Sequence, residues 1–158
     1  MDRHKRDTRE EIRIVPVTEQ MLPLAGRIHS ESWQESHRSF CTEEFLQRHS
    51  AGAQTEYLRR EVAQGKRLYL LLAPEPVGIV TVWGSLIENL YILPRYQRQG
   101  YGTRLLLFAI AQCDGEPVLW ILDNNEGARR LYHRYGFRET GKRNALNERL
   151  SEIEMKRP

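Results

Sequence analysis

The residues best able to do chemistry lie between Pro94 and Arg104, which read Pro-Arg-Tyr-Gln-Arg-Gln-Gly-Tyr-Gly-Thr-Arg. Gly100 and Gly102 let the backbone turn tightly and approach a ligand, and an apolar helical stretch, Leu105 to Ala111, follows. The opening amides of such a helix have no intrahelical acceptors and attract anions. Arg95, Arg98 and Arg104 surround the turn with charge suited to phosphate. Two familiar phosphate loops are disfavoured by residue order. A Walker loop needs lysine between its last glycine and a Ser or Thr, whereas Thr103 follows Gly102 directly. A dinucleotide fingerprint needs a third Gly or Ala where Leu105 stands.

What remains, Gln97-x-x-Gly100-x-Gly102, resembles the pyrophosphate loop of the Gcn5-related N-acetyltransferases (GNAT), which holds the diphosphate of acetyl-coenzyme A. A second segment strengthens the resemblance. Val118 to Leu122 is an apolar run of strand formers, followed by Asp123-Asn124-Asn125 and then Ala128, Leu131, Tyr132 and Tyr135 at helical spacing. The string Asn125-x-x-Ala128-x-x-x-Tyr132-x-x-x-Gly136-Phe137 is similar to the second acetyl-CoA motif of the same superfamily in order, spacing and distance from the first. The opening, Ile12 to Thr18 followed by an amphipathic helix and later Ser32-Trp33, also resembles small members. The likeness covers nearly the whole chain after residue 11.

The resemblance implies direct transfer: an amine attacks the thioester carbonyl, and coenzyme A leaves as a thiolate that takes up a proton. It assigns the pantetheine arm to the backbone of Leu90, Tyr91 and Ile92. It assigns the phosphates to Gln97, Arg98, Gln99, Gly100, Tyr101, Gly102, Thr103 and Arg104. Asn125 falls where the family contacts the same arm, though its position equally suits a helix N-cap. Tyr132 corresponds to the tyrosine that protonates the leaving thiolate, and its spacing also suits packing. A phenol of pKa about 10 donates at neutral pH without tuning. Glu88 is the expected base, since it begins the cofactor strand and has the parity of Leu90 and Ile92, where some relatives place a catalytic glutamate. Other relatives carry that glutamate on the later strand, where this chain has Trp120. Asp123, His29, His37 and a water chain are the alternatives. Trp33, His37 and Phe40 fall in the segment that covers the acceptor pocket in relatives, with Trp83 and Trp120 as further walls. No metal and no cysteine nucleophile is called for. The rival reading is a non-catalytic acyl-CoA sensor; a third, a nucleic-acid-binding domain using the arginine loop, would require affinity falling steeply with salt.

These residues need a scaffold of alternating elements. Ile12 to Val17 reads as a strand, and Thr18 as the cap of a helix running to about Ser30. A looser stretch spans Glu31 to Phe40, a short helix Thr42 to His49, and a second helix Glu56 to Gln64 capped by Thr55 and closed by Gly65. Arg67 to Ala73 and Val77 to Trp83 form a hairpin about Pro74-Glu75-Pro76, and Gly84-Ser85 turns into a strand from Ile87 to Leu93. Closing strands lie at about Arg138 to Arg143 and Leu150 to Met155. The expected class is α+β: a mixed, mostly antiparallel sheet of about seven strands with helices on both faces, the acyl-CoA N-acyltransferase fold. A mixed-charge tail, residues 1–11, precedes a single domain, residues 12–158.

Composition agrees with one self-supporting domain: 158 residues bury a core without staples. The two cysteines, Cys41 and Cys113, have neither metal-ligand spacing nor the density of a disulfide scaffold, so a reducing cytoplasm is expected. No run of about eighteen apolar residues and no charged-then-apolar leader is visible, so neither a membrane partner nor a signal peptide is expected. The net charge of +3 is spread among glutamates without a basic aromatic stripe, which argues against nucleic acid. The expected partners are acetyl-CoA and an amine, small molecule or protein. Neither the identity of that amine nor an oligomeric state, a homodimer included, is readable.

Overall fold

The computed structural model describes residues 11–158; the expected tail lies outside them except for Glu11. The elements are β1 (Arg13–Pro16), α1 (Leu22–His37), α2 (Glu43–Gln47), α3 (Ala51–Ala63), β2 (Arg67–Leu72), β3 (Pro76–Trp83), β4 (Leu86–Ile92), α4 (Tyr101–Gln112), β5 (Val118–Leu122), α5 (Glu126–Arg134), β6 (Arg138–Ala145) and β7 (Ser151–Lys156). They build one seven-stranded sheet in the order β1-β2-β3-β4-β5-β7-β6. Every neighbouring pair is antiparallel except β4 and β5. Strand alternation divides the core in two. Val80, Val82 and Ile87 join Leu105, Leu106 and Ala109 of α4 on one face. Ile79, Leu68 and Leu70 join Ala25, Ile28 and Leu58 of α1 and α3 on the other. Each fully buried Leu or Ile here is worth about 1.5–3 kcal/mol relative to exposure.

Local propensity misjudges the first helices. Thr18 makes no side-chain cap; a short 3₁₀ turn, Glu19–Met21, precedes α1 instead. Proline in the first turn of α1 suits its missing N–H. The expected loose stretch is helical as far as His37, because Trp33 and His37, one turn apart, stack at 3.9 Å. Ser50, not Thr55, caps α3 by accepting from the Ala53 amide. Thr55 lies inside the helix, its hydroxyl donating to the Ala51 carbonyl. Gly26 is what lets α1 approach there: a Cβ on it would sit 1.9 Å from Thr55 Oγ1 and 2.8 Å from the Thr55 backbone.

Two irregularities open the sheet where the motifs meet. Parallel pairing of β4 with β5 is confined to Leu86 with Val118 and Ile87 with Leu119. Beyond that point the strands part. On the other side of β4, the register against β3 slips between Ile79–Tyr91 and Thr81–Glu88, so β4 carries an extra residue. Asn89 takes the left-handed conformation there, φ 53°, and its side chain fixes it. Its amide donates to Thr81 Oγ1 at 3.1 Å and to the Tyr57 hydroxyl at 3.5 Å. Its Oδ1 accepts from His29 Nε2 at 3.3 Å. A β-bulge inverts side-chain parity, which overturns the expected facing of Glu88. Glu88 pairs with Thr81 and shares the α1 face with Tyr91, whereas Leu90 and Ile92 pack in the α4 core.

Candidate active site

The cradle begins where β4 ends. The Gln97 side-chain amide donates to the Ile92 carbonyl at 3.0 Å, as does the Ser32 hydroxyl at 3.4 Å, so that carbonyl is already engaged. Arg98 and Gly100 both have positive φ, 62° and 87°, and Gly100 opens α4 with no side-chain cap. The first intrahelical bond recorded is Arg104 N to Gly100 O. The amides of Tyr101, Gly102 and Thr103 are therefore left for an external acceptor. A Cβ at Gly102 would meet only Ile92 Cγ1, at 3.8 Å, so the fold itself does not demand glycine there. Gln99 reaches back to the Arg95 carbonyl, and Arg95 pairs with Glu31.

The parting of β4 and β5 forms a cleft of about 600 Å³ lined by Glu88, Leu90, Tyr91, Ile92 and Gln97 from the β4 side. Trp120, Asn125 and Tyr132 line it from the β5–α5 side, and Trp33, His37 and Phe40 from above. The two motifs thus converge on one space, reached from the cradle through Gln97 and Ile92. Asn125 is the cap of α5, accepting from the Ala128 amide at 3.1 Å, while also lining the cleft. Tyr132 is buried against Phe137 at 5.8 Å. Burial pushes its phenol up to about 12, so it is protonated throughout the neutral range. Its hydroxyl makes no hydrogen bond among the described residues.

A second cavity, about 640 Å³, adjoins the first and shares Trp33, Glu88, Tyr91, Trp120 and Glu152 with it. Its own walls include His29, His49, Gln54 and Tyr57. Trp33 lies between two imidazoles, stacked on His37 and, at 3.6 Å, on His49. Glu88 is not a free carboxylate: Lys66 Nζ donates to it at 3.2 Å. Lys66 also pairs with Glu61 and sits 4.8 Å over the Trp83 ring. Trp83, 52% exposed, lines neither cavity, unlike Trp120. Asp123 is committed to Arg143 at 2.8 Å. His29 is held near pKa 4, chiefly by burial, against its hydrogen bond to Asn89, and is neutral at pH 7. Burial lowers His37 as well.

Residues 62–139 match the family model of the acetyltransferase (GNAT) domain. The chain belongs to the GNAT superfamily. Solved GNAT-fold structures agree over almost the whole length. The PaiA N-acetyltransferase from Thermoplasma acidophilum, in complex with coenzyme A, is 18% identical with a TM-score of 0.70, covering 91% of this chain and 98% of that one. An acetyltransferase from Thermus thermophilus is 20% identical with a TM-score of 0.72, covering 93% and 96%. YncA from Salmonella typhimurium, with its cofactor acetyl-CoA, is 16% identical with a TM-score of 0.70, covering 92% of each. No curated protein sequence matches the chain. Within this GNAT domain, sequence reasoning misses Glu152. It lies on β7 opposite Leu122 of β5 and Asn144 of β6, far in sequence from both motifs. Only the sheet order, which inserts β7 between β5 and β6, brings it to the cleft. Among the described residues no group of three or more His, Cys, Asp or Glu could hold a metal, and no helix is long and apolar enough to cross a membrane.

Proposed function

We propose that the protein is an acetyl-CoA-dependent N-acetyltransferase that acetylates a primary amine by direct attack in a ternary complex. The observation that carries this reading is the cleft left by the parting of β4 and β5, with uncapped helix amides at one end and the Tyr132 hydroxyl inside it. Acetyl-CoA supplies the thioester and a good leaving group. The amides of Tyr101 to Thr103 would hold its diphosphate, with Gln97, Arg98, Gln99, Gly100 and Arg104 completing the cradle. The edge of β4 from Leu90 to Ile92, together with Asn125, would seat the pantetheine arm.

Tyr132 is then the acid. Its phenol is protonated, walled by apolar groups and unbonded within the described residues, so it has a proton to give and no competing acceptor. Deprotonation of the acceptor ammonium falls to a carboxylate at the junction of the two cavities, Glu88 or Glu152, or to water held there. Trp33, His37 and Phe40 would form the roof over the acceptor. Both cysteines are free, and a reducing cytoplasm fits them. Incubating the purified protein with acetyl-CoA and a panel of primary amines, while following free thiol, tests the reading. Amine-dependent thiol release is expected. Saturable acetyl-CoA binding with no release for any amine would leave a sensor rather than an enzyme.

A further inference from the structure

The second cavity is the place where an acceptor must lie if the first holds the coenzyme, and its walls differ in kind from those of the first. Two carboxylates stand where the cavities join. Glu88 shares Lys66, whose side chain is only 9% exposed, with Glu61, so its carboxylate is already hydrogen-bonded to an ammonium. Glu152 is half-buried, lines both cavities, and has neither a hydrogen bond nor an ion pair among the described residues. An ammonium entering the junction therefore meets one carboxylate free to bind it. Trp33 and Trp120 flank the junction; the arm beyond carries the rings of His29, His49 and Tyr57 beside the amides of Gln54 and Asn144, and contains no further carboxylate. It also contains a polar side chain without a partner. Gln54 of α3 is 5% exposed, yet its amide makes no hydrogen bond among the described residues. Its polar atoms open onto the cavity, so a ligand can take up that amide in place of water.

Building on the acetyltransferase reading, we propose that the acceptor is a primary monoamine with an aromatic or apolar body, bound with its ammonium on Glu152, which takes its proton, and its far end against the Gln54 amide. One N–H bond of the ammonium breaks, its electron pair remains on nitrogen as the nucleophile, and the proton becomes a carboxylic O–H on Glu152. From there it passes to water in the open cleft. A second ammonium, as in a polyamine, would find no second free carboxylate and would have to shed its hydration against aromatic walls.

The titratable groups that line the two cavities with Glu152 are Glu88 and Tyr91 from β4, His29 and His37 from α1, His49 before α3, Tyr57 from α3, and Tyr132 from α5. Burial lowers His29 and His37 and raises Tyr91 and Tyr132. None of those four changes charge between about pH 7 and 10, so a pH-dependent difference there belongs elsewhere. On β6, Arg143 is paired with Asp123.

Thiol release is measured for wild type, Glu152→Gln, Glu88→Gln and Gln54→Ala across about pH 6 to 10, with 2-phenylethylamine and spermidine as acceptors, and acetyl-CoA affinity is measured by calorimetry. Glu152→Gln is expected to lose roughly 10²- to 10⁴-fold in kcat/KM at neutral pH with coenzyme affinity unchanged, the defect shrinking as rising pH supplies neutral amine. Gln54→Ala is expected to raise KM for the amine and leave kcat alone. Wild type is expected to favour 2-phenylethylamine at least about tenfold, roughly 1.4 kcal/mol. Spermidine as the better acceptor, or the pH-dependent defect following Glu88→Gln instead, would overturn the proposal, and the wild-type preference decides even if a variant fails to fold. Wild type that binds acetyl-CoA but acetylates no amine would overturn the parent reading as well, which separates the two failures.

Discussion

The bulge at Asn89 lies where β4 leaves β5 and puts Glu88 on the α1 face, so its removal should be felt in stability and in binding together. Asn89→Ala deletes a bond to Thr81, which is 1% exposed, and one to His29, which is 5% exposed. The Thr81 hydroxyl can rotate to another partner, whereas the His29 N–H is left buried and unpaired, at about 1–3 kcal/mol. Alanine also bears the left-handed φ of 53° less readily than asparagine, by about 1 kcal/mol. The total, ~2–4 kcal/mol, is a large share of a typical domain stability of about 5–15 kcal/mol. Asn89→Gly loses the same bonds without the strain, so it should be less damaging than alanine by about 1 kcal/mol. Urea denaturation of the three proteins measures this, and calorimetry should show weaker acetyl-CoA binding in both variants. Stabilities within about 0.5 kcal/mol of wild type, the range of ordinary surface changes, would refute the view that Asn89 holds the bulge.

Gly102→Val should keep its fold, since a Cβ there meets only Ile92 at 3.8 Å, yet lose at least about tenfold in acetyl-CoA affinity if the amides bind a diphosphate; calorimetry and thermal melting separate the two effects. Tyr132→Phe keeps the packing on Phe137 and should lower kcat by roughly ten- to thousand-fold with coenzyme affinity intact, as expected for loss of a general acid; equal turnover would make Tyr132 a packing residue. His29 titrates at about 4 in the folded chain against 6.5 ordinarily. Below pH 6.5 the unfolded state therefore binds a proton that the folded state refuses. The stability His29 contributes is full above pH 6.5 and is lost as pH falls to about 4, by ~3 kcal/mol. Urea midpoints of His29→Phe should depend less on pH across that window than those of wild type, and parallel curves would refute the assignment.

The parts of the site written in contiguous residues are legible in the sequence itself. Glycine and arginine spacing names the cradle, and the strand, asparagine and helix of residues 118–136 mark the second motif, because both are local signals. The continuous apolar runs of β2 and β3 mark strands buried on both faces. What escapes depends on distance in sequence. An asparagine in the left-handed conformation leaves no mark on a strand pattern, so simple alternation misassigns the parity of Glu88 with Leu90 and Ile92 across the bulge. Lys66 immediately precedes β2, and nothing in its neighbourhood announces that it will pair with Glu88. Glu152 reaches the cleft only through strand order. Helix limits fail in the ordinary way: Thr18 and Thr55 are good cap residues that tertiary packing does not use, while the Trp33–His37 stack prolongs α1.

In the proposed function one cleft, where β4 parts from β5, seats acetyl-CoA with its thioester beside Tyr132. A crystal structure of the complex tests it most directly. The diphosphate is expected on the amides of Tyr101, Gly102 and Thr103, the pantetheine arm along Leu90 to Ile92, and the thioester sulfur within about 3.5 Å of the Tyr132 hydroxyl. Coenzyme bound away from that cleft, or with its thioester out of reach of Tyr132, would contradict it.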